Sequence, residues 1–211
     1  MIDTSIADDD AAFIAEKLPL SDVPGVPGIR LHLATSASGL NRRLGDDAPP
    51  PYWAYRWGGG LALAAYLVEQ PEAVRGRAVL DLGTGSGLVA IAAALAGATR
   101  VDAVDIDAHA ITAATLNAAA NGVTIHPHLG DWLDGPAPDA EIVLIGDLFY
   151  DPATALRVTA YGERCRAAGI EVLIGDPHRK PLPVDRLTLL ADGEVEELQS
   201  QLRRAGVFRL A

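Results

Sequence analysis

Between residues 77 and 177 short runs rich in Val, Leu and Ile alternate with longer Ala-rich stretches of helical spacing. "RAVLDLG" (77–83), "RVDAVDID" (100–107), "VTIHPHLGD" (123–131), "AEIVLIGD" (140–147) and "IEVLIGDP" (170–177) read as strands. Between them "GLVAIAAALAGA" (87–98), "AHAITAATLNAAANG" (108–122) and "PATALRVTAYGERCRAAG" (152–169) read as helices, as does "LALAAYLVEQPEAV" (61–74) ahead of the first strand. Strands that are apolar on both faces and joined by helical crossovers predict a mostly parallel sheet covered on both sides. That is a Rossmann-like, doubly wound α/β fold. Residues 3–18 read as an amphipathic helix punctuated by Ile6, Phe13, Ile14 and Leu18. "LPLSDVPGVPG" is turn chemistry, "IRLHLA" a short strand and "LNRRLGDDAPPP" a loop. The division expected is an N-terminal extension over residues 1–56 and a single catalytic-type domain over 57–211. The closing "LTLLADGEVEELQSQLRRAGVFRLA" must supply the last strands, as an antiparallel edge, although "GEVEELQSQLRRAG" has helical character too.

In a doubly wound sheet ligands bind beyond the carboxyl ends of the strands. Here those ends read "DLGTGSG", "DID", "GDW", "GDLFYD" and "GDP", each with an acid. A lone acid at a strand end is by default a helix cap; five on one rim point to a ligand. The chain carries 17 basic and 28 acidic residues, a formal charge of −11, which repels nucleic-acid backbones and suits a cationic ligand. One cysteine, Cys165, excludes an intrachain disulfide and a cysteine zinc cluster, and no HExxH spacing occurs. "HPH" at 126–128 reads as an exposed strand rather than a chelate, so no metal is expected. The N-terminus lacks a basic segment followed by an apolar run, and the longest apolar stretch is too short to span a bilayer. A cytoplasmic protein without a membrane segment is the resulting expectation.

"VLDLGTGSG" sets Gly83, Gly85 and Gly87 in a tight turn between strand and helix, where small residues let backbone amides approach a ligand. Dinucleotides and S-adenosylmethionine both use such loops. Asp105, 18 residues after Gly87, ends the next strand, where an acid accepts from the ribose hydroxyls of an adenosine. The spacing here is not GxGxxG, Asp81 precedes the loop, and the rim is acidic. A pyrophosphate suits such a rim poorly, whereas the sulfonium and amine of S-adenosylmethionine suit it well. A tyrosine–lysine dehydrogenase pair is also missing.

"LDLGTGSG" followed by "VDAVDID" resembles the first motif and ribose acid of class I, seven-strand, S-adenosylmethionine-dependent methyltransferases. The flanks narrow this. "YWAYRWGGG" before the loop, "DID", "GDLFYD", "LIGDP" and the terminal "VFRL" resemble the lysine methyltransferases that modify the beta subunit of electron transfer flavoprotein. The resemblance runs from about residue 11 to the end. It implies a seven-stranded sheet, S-adenosylmethionine as methyl donor with S-adenosylhomocysteine as product, and a protein lysine as acceptor. It also implies roles. Asp147 and Tyr150, with Phe149, lie where the lysine meets the donor. Trp57, Gly59, Asp81, Gly83, Gly85, Gly87, Asp105, Ile106, Asp131, Trp132 and Asp147 line the cofactor, with Trp132 or the neighbouring backbone covering the adenine. Tyr52, Trp53 and Tyr55 are left to packing. The chain departs from the family where "DPHRK" (176–180) replaces the usual DPGR and where "LADGEVEE" lacks the usual tyrosine.

Other readings stay open. The acceptor can be a small amine or another small-molecule nucleophile, for which the first fifty residues are the only candidate lid, or the protein can be a non-catalytic S-adenosylmethionine-binding module. Nucleic-acid methylation is opposed by the charge and by the absence of an Asn–Pro–Pro–aromatic motif. A monomer is expected.

Overall fold

The computed structural model describes residues 4–45, 49–197 and 201–211. Helix α1 (Thr4–Lys17) leads to a hairpin of β1 (Leu20–Asp22) and β2 (Arg30–His32), then to the short α2 (Leu40–Leu44). The main body follows as α3 (Gly58–Glu69), β3 (Ala78–Leu82), α4 (Leu88–Leu95), β4 (Arg100–Asp105), α5 (Ala108–Ala120), β5 (His126–Leu129), β6 (Ile142–Gly146), α6 (Pro152–Ala167), β7 (Glu171–Asp176), β8 (Leu187–Glu196) and β9 (Leu202–Leu210).

Strands β3 to β9 form one sheet in the order β5-β4-β3-β6-β7-β9-β8. All neighbours run parallel except β9, which is antiparallel to both β7 and β8. This is the doubly wound, seven-stranded sheet expected. The chain winds outward from β3 to β5, then returns to place β6 on the other side of β3. The crevice of such a sheet opens at that reversal. Because Leu82 is in register with Ile145, the loops that follow β3 and β6 leave the sheet side by side.

Alternation along the strands explains the layers. Val79 and Leu144 face a core built with Leu61, Leu63 and Leu67 of α3 and with Val89 and Ile91 of α4. Leu80, Leu82, Val143 and Ile145 face the opposite layer, with Val158, Tyr161 and Cys165 of α6. A third cluster joins Ile14, Leu18, Leu40, Trp53 and Ala54 of the extension to Ala110 and Ala113 of α5. Asn117 of α5, wholly buried, stitches these parts together. Its Oδ1 accepts from His32 N at 2.7 Å, and its Nδ2 donates to the Ser86 carbonyl of the glycine loop at 2.8 Å. The extension therefore braces the loop it precedes.

Four details differ from the pattern-based reading. The stretch read as turn contains β1, and the stretch read as loop contains α2, which residues 46–48, outside the described part, follow. Helix α3 begins at Gly58, so its glycines belong to its first turn. The helical alternative for residues 193–206 gives way to β8 and β9, because Glu194, Arg204 and their neighbours complete a pairing ladder at the sheet edge; residues 198–200 lie outside the described part. Ile14 of α1 and Leu18 just beyond it are buried and Phe13 is half-buried, while the Ile6 side chain lies outside the described part. His126 and His128 form the expected edge strand, β5.

Candidate active site

The loop after β3 turns through positive φ at Gly83 (72°), Gly85 (52°) and Gly87 (85°), a region that residues with a Cβ rarely enter. Gly87 is the left-handed N-cap of α4 and packs on α5, where a Cβ would come within 3.0 Å of Ala114 Cα. At Gly85 there is room: a Cβ would meet only Trp53 Cα, at 3.8 Å. Asp81 is 1 % exposed, and its Oδ2 accepts from Thr84 Oγ1 (2.6 Å) and Ala90 N (3.1 Å). Burial pushes its carboxyl up to about 7, against the lowering effect of those bonds. This corrects the assignment of Asp81 to the cofactor surface: it clamps the loop to α4 from inside.

Asp105, at the end of β4, accepts from Gly85 N at 2.9 Å through Oδ2 and from Asp107 N at 3.0 Å through Oδ1. Burial raises its pKa, with the backbone donors opposing. Each oxygen keeps a free lone pair, as a ribose-binding acid needs. Ile106 beside it is 71 % exposed, an apolar face presented where an adenine ring can rest. These residues fit an adenosine moiety: open space at Gly85, a carboxylate and an exposed aliphatic side chain lie together. Asp131 and Trp132 follow Gly130, whose N–H donates to Asp105 O at 2.8 Å, but their side chains have partners of their own. Arg157 holds Asp131 at 2.8 Å together with Asp134, and burial plays only a secondary part in an Asp131 pKa that this cation lowers. Trp132 folds back against His128 (ring centroids 5.2 Å apart) and lines a hollow with Arg100, Asp102 and Asp139, away from the rim. Its indole completes the packing beneath the β4–β5 edge instead of covering an adenine.

On the other side of the crevice Asp147 follows β6 with φ 61°, a left-handed conformation uncommon for a residue with a Cβ and most tolerated by Asp and Asn. Its N–H donates to Gly175 O at 3.0 Å, anchoring the loop to β7. The carboxylate is held from two directions. Gly60 N, in the first turn of α3, donates to Oδ2 at 2.5 Å; Arg179 Nη1 donates to Oδ1 at 2.7 Å. Arg179 also reaches Asp176 Oδ2 at 3.0 Å, and Asp176 has no exposed surface. Burial raises the pKa of both carboxyls, and the Arg179 guanidinium opposes that shift in each. Gly59 explains the closeness of α3 to this loop. A Cβ there would fall 2.2 Å from Gly175 O and 2.8 Å from Asp147 Oδ2. Gly59 thus serves backbone packing between α3 and β7, not contact with a ligand, and Gly60 supplies the amide. A second carboxylate, Glu197, takes Gly58 N at 2.7 Å, as the positive end of a helix favours.

The aromatics of "DLFYD" part company. Phe149 is fully buried among Leu82, Val143 and Ala155, a core residue and not a face for an amine. Tyr150 is 54 % exposed, with its ring 6.3 Å from that of Tyr52 and nearly parallel to it. Trp57 meets Tyr52 edge-on at 5.8 Å and Tyr55 at 6.4 Å, and its Nε1 donates to Tyr52 O at 2.9 Å. Trp57 therefore belongs to the aromatic group around Tyr52. Asp151 closes the motif as an ordinary N-cap, accepting from Ala153 N and Thr154 N. Among the described residues no group of three or more His, Cys, Asp or Glu side chains is placed to hold a metal, and no helix is long and apolar enough to cross a membrane.

Arg179 and Tyr52 are the functional candidates that the motifs did not disclose. Arg179 was visible only as part of the "DPHRK" departure, and Tyr52 only as one of several aromatics before the domain.

The ribosomal protein L11 methyltransferase (PrmA) family profile matches residues 62–145. Among curated proteins the chain is similar to the electron transfer flavoprotein beta subunit lysine methyltransferase of Danio rerio, 46 % identical over 62 % of this chain and 52 % of that protein. It is also similar to the Xenopus laevis protein of that name, 38 % identical over 80 % and 70 %. The chain spans about half to two thirds of the length of the first of these relatives. Among solved structures, magnesium protoporphyrin IX methyltransferase from Synechocystis with bound SAH superposes with a TM-score of 0.53 at 17 % identity, over 82 % of this chain and 93 % of that one, a likeness of fold.

Proposed function

The chain belongs to the family of electron transfer flavoprotein beta subunit lysine methyltransferases, and from that premise we propose that it transfers the methyl group of S-adenosylmethionine to a lysine ε-amine of that flavoprotein subunit. The observation that carries the reading is Asp147, pinned in a left-handed conformation between the α3 amide and Arg179, with the exposed Tyr150 three residues on. The L11 methyltransferase profile ends at residue 145, before this loop, and so speaks for the cofactor half of the crevice only.

S-adenosylmethionine supplies an electrophilic methyl on a sulfonium; the chain supplies position and electrostatics. Asp105, oriented by the Gly85 amide, holds the adenosine end. A lysine arrives as an ammonium, with an unperturbed pKa of about 10.4 and no lone pair to attack with. Asp147 has a lone pair left on each oxygen after Gly60 and Arg179 are satisfied, and these attract and orient the ammonium. The faces of Tyr150 and Trp57 hold the cation by contacts worth ~0.5–2 kcal/mol each while excluding water, which lowers its pKa. Asp147 stays engaged with Arg179 and Gly60 as the orienting group, and the proton leaves through water. With the amine neutral and aligned, proximity provides most of the remaining acceleration. The open, aromatic rim favours an acceptor presented on a protein surface over an enclosed small amine.

The test is transfer from labelled S-adenosylmethionine into purified electron transfer flavoprotein, with mass spectrometry locating the label. Wild type should label a lysine of the beta subunit. Asp147→Ala should lose at least ~10²-fold in kcat, the scale of removing a preorganised charge-stabilising group, and keep cofactor affinity within a few-fold. Wild-type protein that binds S-adenosylmethionine tightly yet labels no protein lysine refutes the assignment.

A further inference from the structure

We infer that Tyr52, a residue of the N-terminal extension, forms one wall of the acceptor slot opposite Tyr150, so that the extension takes part in selecting the amine. This inference deepens the reading above and rests on it for the identity of the acceptor. Four observations converge. Tyr52 is 57 % exposed although its neighbours Trp53 and Ala54 are buried, so burial does not explain its ring. That ring stacks on Tyr150 at 27° and lies edge-on to Trp57, joining residues 52–57 and the loop after β6 into one aromatic surface. Trp53 Cα is the nearest atom to the open side of Gly85, so the segment lies directly on the glycine loop. Tyr52 is also held firmly: its N–H donates to Pro50 O at 2.8 Å, its carbonyl accepts from Trp57 Nε1, and Ala34 N binds Ala54 O at 2.9 Å.

The Trp53 ring anchors this arrangement from beneath. It is nearly parallel to the His109 ring at 6.1 Å, and His109 Nδ1 lies 2.6 Å from Asp10 of α1. The buried tryptophan and the exposed tyrosine thus alternate as a short segment must when one side chain goes into the core and the next onto the rim. The segment touches the cofactor loop at Gly85 through Trp53 and the acceptor loop at Tyr150 through Tyr52. An alkylammonium lodged beside the Tyr52–Tyr150 pair can lie within about 6 Å of both centroids, the reach of a cation–π contact. Two exposed tyrosine faces beside a buried carboxylate match the chemistry of an extended aliphatic chain that ends in a cation.

The experiment compares wild type, Tyr52→Ala and Tyr52→Phe in two measurements. The first is binding of n-butylammonium to the S-adenosylhomocysteine complex, followed by tyrosine and tryptophan fluorescence. The second is methyl transfer to electron transfer flavoprotein. Tyr52→Ala should weaken n-butylammonium binding and raise KM for the flavoprotein by about 5- to 30-fold, the span of one aromatic face. Its S-adenosylhomocysteine affinity and thermal midpoint should stay unchanged, and Tyr52→Phe should restore the amine affinity. Equal n-butylammonium binding in wild type and Tyr52→Ala, or no saturable binding in wild type, overturns the slot. Loss of cofactor affinity or thermal stability in step with amine binding also overturns it, since Tyr52 would then be structural. Wild type that binds n-butylammonium through Tyr52 but leaves the flavoprotein unlabelled supports the slot and overturns the choice of acceptor instead.

Discussion

The loops after β3 and β6 leave neighbouring strands in register, yet they are held in opposite ways. The β3 loop is shaped almost entirely from within: three glycines turn it, Asp81 three residues before Thr84 clamps it, and Asp105 meets it across one strand. The β6 loop is shaped from a distance. Asp147 depends on Gly60, Gly175 and Arg179, and Tyr150 depends on Tyr52, nearly a hundred residues away in sequence. A cofactor of constant structure suits a compact local cradle. An acceptor that differs between enzymes suits a surface assembled from segments that can vary separately.

The largest effect that would test this contrast is expected at Arg179. Arg179→Met leaves two buried carboxylates, Asp147 and Asp176, without their shared cation, and removing one partner of such a cluster costs ~3–5 kcal/mol. Burial already raises both pKa values, and loss of the arginine raises them further. A carboxyl whose folded pKa is raised stabilises the fold below its unfolded pKa and loses that contribution as pH rises through the folded pKa. Denaturation by urea should therefore show the variant more destabilised at pH 8 than at pH 5. A pH-independent loss would mean that the cluster matters through packing alone.

Next in size is Asp105→Ala, which removes a carboxylate from the cofactor side only. Calorimetry should show S-adenosylhomocysteine affinity lowered by about 10- to 100-fold, as for the loss of charged hydrogen bonds, with KM for the acceptor little altered. Equal damage to both would dissolve the division between the two loops.

Asp81→Asn should act more gently and through pH. With its carboxyl pushed to about 7, wild type binds a proton there that the unfolded chain has released, so stability should fall as pH rises from about 4 to 7. The slope from this one group is at most ~1.4 kcal/mol per pH unit. Urea titrations of Asp81→Asn across that window should be flatter than those of wild type, and an unchanged slope would show Asp81 ionised throughout.

The smallest effect is expected at Trp132. Because its ring turns away from the rim, Trp132→Phe should leave S-adenosylhomocysteine affinity within about two-fold, a change of no more than ~0.4 kcal/mol. A ten-fold loss would return Trp132 to the adenine.

What the amino-acid sequence determines by itself is the part governed by short-range stereochemistry. Apolar runs on both strand faces imply a covered parallel sheet, and "DLGTGSG" implies a turn that only glycines make easily, so the crevice and its adenosine side are legible without coordinates. The bounds of the last two strands were not, since "GEVEELQSQLRRAG" suits either element and the pairing of β9 with β7 and β8 decides between them. "GDLFYD" announces chemistry but not the division of labour within it. Strand-end geometry sends Phe149 inward and Tyr150 outward. That Asp147 is held by Arg179 and Gly60, and that Tyr52 faces Tyr150, are decisions of tertiary structure alone. A side chain's partner across dozens of residues depends on how layers pack, and no local periodicity encodes that distance.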